Sequence, residues 1–181
     1  MRYYQNILLK NGTECCLRSA TESDGQAVID NFRLTHAQTD YLLTYPEEKH
    51  STALQESQSL KQKAESKNEA ELLAVVDDVI AGTAGIEAIG TKYKIRHRAR
   101  LGISIAKEFW GLGIGGALMS ACIKCARDAG YLQLELDVVA ENARAISLYK
   151  KLGFIEYGRN PKGFYSRTSG FQEIVYMRLE L

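Results

Sequence analysis

Gly111, Gly113, Gly115 and Gly116 fall within six residues, between an alternating apolar stretch (Leu101-Gly102-Ile103-Ser104-Ile105) and an amphipathic one that begins at Ile114. A strand that runs into a glycine-rich turn and out again into a helix constrains this chain more than any other feature. Glycine takes backbone angles closed to other residues and lets a ligand approach the main chain. The helix opened there adds unpaired N–H groups and the positive end of its dipole, so a pyrophosphate is the natural guest. Four glycines in six residues exceed what a plain strand–helix turn needs.

The spacing Gly111-x-Gly113-x-x-Gly116 satisfies the dinucleotide fingerprint, and Glu135 and Asp137 fall near the distance at which an acidic residue reads a ribose. A dinucleotide fold, however, needs several more parallel strands, and only one helix and a hairpin are expected after Val139. An ATP-type loop is excluded because no Lys-Ser/Thr pair follows the glycines. A cofactor needing one phosphate loop and an open strand edge fits better. Downstream, Asn142 can cap a short helix that carries Tyr149 and stops at Gly153. The first segment can hold a pyrophosphate and the second can give a proton to a leaving group. Together they point to acyl transfer from a nucleotide-bearing cofactor.

At 181 residues the chain is expected to form one domain, residues 1–181, with a sizeable core. Its net charge of +1 argues against broad nucleic-acid binding. No apolar run reaches the length of a membrane span, and the first residues lack the apolar core of a signal peptide, so a cytoplasmic location is the default. Cys15 and Cys16 are adjacent on a strand, and Cys122 and Cys125 sit one helical turn apart among apolar residues. They read as small packing residues, and no metal site is expected.

Thr13 to Arg18 reads as the first strand, followed by a helix to about Leu34. Pro46 starts a polar surface helix reaching Ser66. Glu71 to Asp77 and Val79 to Ile89 are strands joined by a turn at Asp77-Asp78. Ala99 to Ala106 is the fourth strand, Ile114 to Ala129 an amphipathic helix, and Gln133 to Val139 the fifth strand. After the Asn142 helix, Phe154 to Tyr165 and Phe171 to Leu181 form a closing hairpin. The order βαα–βββ–αβ–αββ is that of a mixed α/β (α+β) domain.

These residues resemble the GNAT superfamily of N-acetyltransferases, which use acetyl-CoA. Its phosphate-loop pattern, Arg/Gln-x-x-Gly-x-Gly/Ala, falls on Trp110 to Gly115, and its downstream pattern is matched by Asn142, Ala145, Leu148, Tyr149, Gly153 and Phe154. The likeness covers most of Ala70 to Leu181 and, more weakly, the first strand and helices. Two departures stand out. Trp110 replaces the usual Arg or Gln, and Arg100 stands where many relatives carry an acidic residue.

The resemblance implies a central, mostly antiparallel sheet whose fourth and fifth strands splay apart, flanked by helices. It implies that the backbone of Ile103, Ser104 and Ile105 holds the pantetheine arm and polarises the thioester. The loop residues Gly111, Leu112, Gly113, Ile114, Gly115 and Gly116 would take the pyrophosphate, and Asn142 and Ala145 would meet the arm. Tyr149, a phenol of pKa about 10, would act as general acid toward the thiolate. Asp137 is the first candidate for the base and Glu87 the second. The acceptor is expected to be the amine of a small molecule or peptide, bound by Asp24 to Ser66 and Asn160 to Gly170. The carboxylates Glu47, Glu48, Glu56 and Glu65 suit a cationic acceptor, or are simply a solvated face. A homodimer is common in such folds. A non-catalytic acyl-CoA-binding or sensing domain is the alternative, and a nicotinamide-binding protein a weaker third reading.

Overall fold

A computed structural model describes residues 1–181. The strands are β1 (Tyr4–Leu8), β2 (Glu14–Ser19), β3 (Ala70–Val76), β4 (Val79–Ala88), β5 (Arg98–Ile105), β6 (Gln133–Val139), β7 (Ile155–Ser166) and β8 (Gly170–Glu180). The helices are α1 (Gly25–Gln38), α2 (Ala53–Glu65), α3 (Ile114–Asp128) and α4 (Ala143–Lys151). All eight strands form one sheet in the order β1-β2-β3-β4-β5-β6-β8-β7. Every neighbouring pair is antiparallel except β5–β6. A parallel pair needs a long crossover, and α3 supplies it. The expected mixed, mostly antiparallel sheet with flanking helices is therefore present.

Strand alternation sorts the side chains into two layers. On one face Leu72, Ile86, Leu101, Leu134 and Leu136 pack on Ile114, Leu118, Cys122 and Cys125 of α3. The other face packs Leu73 and Ile80 against Val28 of α1 and Leu60 of α2. Each fully buried aliphatic side chain of this kind contributes about 1.5–3 kcal/mol. All four cysteines are free, and burial pushes the Cys122 thiol well up, as suits a packing residue. Gly25 lets α1 and α2 touch, because a Cβ there would lie 2.7 Å from the Ala53 carbonyl oxygen. No helix is long and apolar enough to cross a membrane.

Three local features differ from the sequence expectation. The edge strand β1 precedes the strand expected to be first. Pro46 opens only a single 3-10 turn, Pro46–Glu48. The helix begins later, where the Thr52 side chain accepts from the Gln55 N–H in a capping box. Helix α1 also runs on to Gln38. The turn at Asp77-Asp78 is as expected, with φ of 47° and 62°, the left-handed pair that a tight hairpin requires.

Candidate active site

The parallel pairing of β5 with β6 is short. It runs only from Arg98 opposite Gln133 to Arg100 opposite Glu135. An ion pair holds this fork: Arg98 Nε and Nη2 donate to the Glu135 carboxylate at 2.5 and 2.8 Å. Tyr157 Oη adds a third donor at 3.3 Å. The Arg98 hydrogen bond holds the Glu135 carboxyl below its usual range. Beyond the fork, β5 stays with β4 and β6 with β8. The strands thus splay, and the β5 edge toward β6 opens into a cleft of about 570 Å³.

Three elements bring their expected residues to this cleft. Strand β5 contributes Ile103, Ser104 and Ile105. The turn and first residues of α3 contribute Gly111, Gly113, Ile114, Gly115 and Gly116. Helix α4 contributes Asn142, Ala145 and Tyr149. Gly111 and Gly113 have φ of +87° and +102°, angles that a side chain strains. A Cβ at Gly113 would meet nothing within 4 Å, so the surface there is open to a ligand. The N–H groups that begin α3 have no acceptor inside the helix. Leu112 stays outside the cleft, packing its side chain against the core.

The position of Trp110 is explained by its neighbours. Its Nε1–H donates to the Ile105 carbonyl at 2.7 Å, tying the loop to the end of β5. The Arg144 guanidinium lies 5.1 Å from the Trp110 ring centre and 3.5 Å from where a Cβ on Gly111 would be. Arg144 thus returns to the loop the charge that Trp110 lacks. The Lys10 N–H donates to the Leu112 carbonyl at 3.1 Å, so the β1–β2 turn is fastened to the same loop. Lys10, Arg144 and Lys151 all line the cleft, and none has an ion-pair partner. Glu141 is the one carboxylate on the lining. An amide cradle with Arg144 beside it, in a cleft that also carries Lys10 and Lys151, fits a polyphosphate group.

Tyr149 is 7% exposed, and burial pushes its phenol up to about 12. Asn142 Oδ1 accepts the Ala145 N–H at 3.2 Å, capping α4 and leaving the amide NH2 as a donor. Glu87 and Asp137 are not on the cleft lining. They share the sheet face away from α3 with Arg100, which pairs across from Glu87 and lies 3.9 Å from Asp137. Sequence reasoning missed Lys10, Arg144 and Lys151, whereas Thr35, Thr39, Tyr41 and Leu42 lie within the Asp24 to Ser66 stretch expected to meet the acceptor. Arg144 sits inside the Asn142–Ala145 motif and was open to view. Lys10 depends on an edge strand with no local signal.

A model of the acetyltransferase (GNAT) family matches residues 34–154. N-alpha-acetyltransferase 30 of Schizosaccharomyces pombe is 31% identical over 74 residues, 41% of this chain and 49% of that protein. The [ribosomal protein bS18]-alanine N-acetyltransferase of Escherichia coli K12 is 33% identical over 79 residues, 44% of this chain and 53% of that protein. The chain thus spans about half the length of these curated relatives. Among solved structures, a GNAT-family acetyltransferase from Streptococcus pneumoniae superposes with a TM-score of 0.88 and 27% identity, covering 92% of this chain and 99% of that one.

Proposed function

The chain belongs to the acetyltransferase (GNAT) family, and from that premise we propose that it moves the acetyl group of acetyl-CoA to the primary amine of a small molecule or peptide. The observation that carries the reading is the meeting of a glycine cradle and a buried tyrosine in one cleft at the fork of the sheet. The names of the two curated relatives, an N-alpha-acetyltransferase and an alanine N-acetyltransferase, support an amine acceptor.

Acetyl-CoA, when bound, supplies a thioester: the amine nitrogen bonds to its carbonyl carbon, the carbon–sulfur bond breaks and the sulfur leaves as thiolate. The N–H groups at the start of α3 bind the pyrophosphate, with Arg144, Lys10 and Lys151 adding charge. The open backbone of Ile103 and Ile105 holds the pantetheine arm, Ser104 lies between them, and Asn142 and Ala145 meet the arm from α4. Strand amides aimed at the carbonyl oxygen stabilise charge as it develops there. Tyr149 Oη donates its proton to the departing sulfur.

A primary amine of pKa about 10.4 is almost all ammonium at pH 7, and freeing its lone pair costs about 4–5 kcal/mol. Asp137 accepts that proton through water from the sheet face away from α3, with Glu87 next on the same face. The test is release of CoA thiol from acetyl-CoA, read with and without an amine panel. The reading expects thiol release that depends on an amine and matches acetylated amine mole for mole. Tight acetyl-CoA binding without amine-dependent release would overturn it in favour of a binding or sensing domain.

A further inference from the structure

A second cavity, about 200 Å³, adjoins the cleft and shares Leu42 with it. The segment after α1 divides the two, with Thr39 and Tyr41 facing the cleft and Asp40, Leu43 and Tyr45 facing the second cavity. Phe164 and Tyr165 of β7 complete the apolar wall. This wall is fixed in place. Asp40 Oδ2 accepts from the hydroxyls of Ser166, Thr168 and Ser169 at 2.5, 3.0 and 3.0 Å. Tyr45 Oη accepts the Arg167 N–H at 2.8 Å, and Arg167 also pairs with Glu47.

Size, charge and surface chemistry narrow the occupant. A cavity of about 200 Å³ is below the range for whole drug-sized ligands, so it takes one group of side-chain size. The hydroxyl bond from Ser166, first among its partners, holds the Asp40 carboxyl below its usual range, and a carboxylate on the acceptor would meet that charge. Asp40 already has three hydroxyl donors, and Arg167 beside the cavity is paired with Glu47. The open part of the wall is apolar: Leu43 and Tyr165 are 74% and 72% exposed, and Tyr165 stacks edge-on with Phe171 at 4.9 Å. Exposed apolar side chains gathered beside a cavity mark a ligand surface.

We propose that this cavity is the acceptor's specificity pocket, and that the amine acetylated carries one neutral apolar or aromatic group beside it. The inference rests on the acetyltransferase reading. Leu42, common to both cavities, is the threshold over which the amine reaches the cleft while its apolar group stays behind.

The test compares kcat/KM, by CoA thiol release, for phenethylamine, for tripeptide amides beginning with Phe, Gly or Glu, and for spermidine. Burying one apolar group of this size predicts a preference on the order of ten- to a hundred-fold for phenethylamine or the Phe-led peptide over the others. Use of phenethylamine identifies a small arylalkylamine as the source, and use of the Phe-led peptide a peptide terminus; either supports the proposal. The surface variants Leu43→Ala and Tyr165→Ala should erase most of the preference, and a preference that survives both would overturn the pocket assignment. Spermidine or the Gly-led peptide used as well as the apolar amines would overturn the pocket assignment while leaving acetyl transfer intact. Acetyl-CoA binding with no thiol release on any of them would overturn both.

Discussion

A phenol pushed up to about 12 by burial keeps its proton throughout the neutral range, which a donor to a leaving thiolate requires. Asp137, the proposed proton acceptor, lies 3.9 Å from Arg100. Replacing Asp137 by Asn should lower kcat/KM at pH 7 by about ten- to a hundred-fold. The deficit should shrink as pH rises toward the amine's own pKa, where the amine arrives already deprotonated. A pH–kcat/KM profile unchanged by the substitution would remove Asp137 from the mechanism. A separate residue bears on stability. Arg18, bonded to Asp24 at 2.7 and 2.8 Å, lowers that carboxyl from 3.8 to about 2. A depressed folded pKa means stability that is full above the unfolded value and lost as pH falls through the folded one. The contribution, about 2 kcal/mol, should therefore disappear between about pH 4 and pH 2. Urea unfolding of the protein and of Asp24→Asn should differ by that amount at pH 6 and converge near pH 2.

Helix α4 joins a cap to the proposed general acid. Asn142 closes its first turn and also lines the cleft. Asn142→Ala should cost about 1 kcal/mol of stability and weaken acetyl-CoA binding as well. Calorimetric titration beside thermal melting checks both, and a loss of stability with unchanged affinity would leave Asn142 a cap alone. Elements with strong local signals were legible in the sequence: the glycine turn into α3, the alternation of β6 and the Asn142-to-Gly153 helix. Those that depend on distant partners were not. Strand β1 is short and half polar, and its pairing with β2 is its only claim to being a strand. Pro46 looked like a helix start, but Thr52 with Gln55 is the stronger one. Motif spacing found the cleft-lining residues of β5, the loop and α4. It could not tell that Glu87 and Asp137 both neighbour Arg100, because that follows from the register of β4, β5 and β6.

The molecule is organised around the fork. Strands β5 and β6 are held together at one end by Arg98 and Glu135 and released toward the other, and the released end of β5 lines the cleft. Glu135 is nearly buried while Arg98 is a third exposed. Removing the carboxylate should cost roughly 2–3 kcal/mol, less than for a fully buried pair. Glu135→Gln should show that loss in urea unfolding, with weaker acetyl-CoA binding as the fork loosens. Unchanged stability and affinity would show that the fork does not depend on this pair. The most direct measurement of the whole account is Tyr149→Phe, assayed for kcat by CoA thiol release and for acetyl-CoA affinity by calorimetry on one preparation. The kcat should fall on the order of a hundred-fold or more, with affinity within about twofold. An unchanged kcat would contradict the general-acid role of Tyr149.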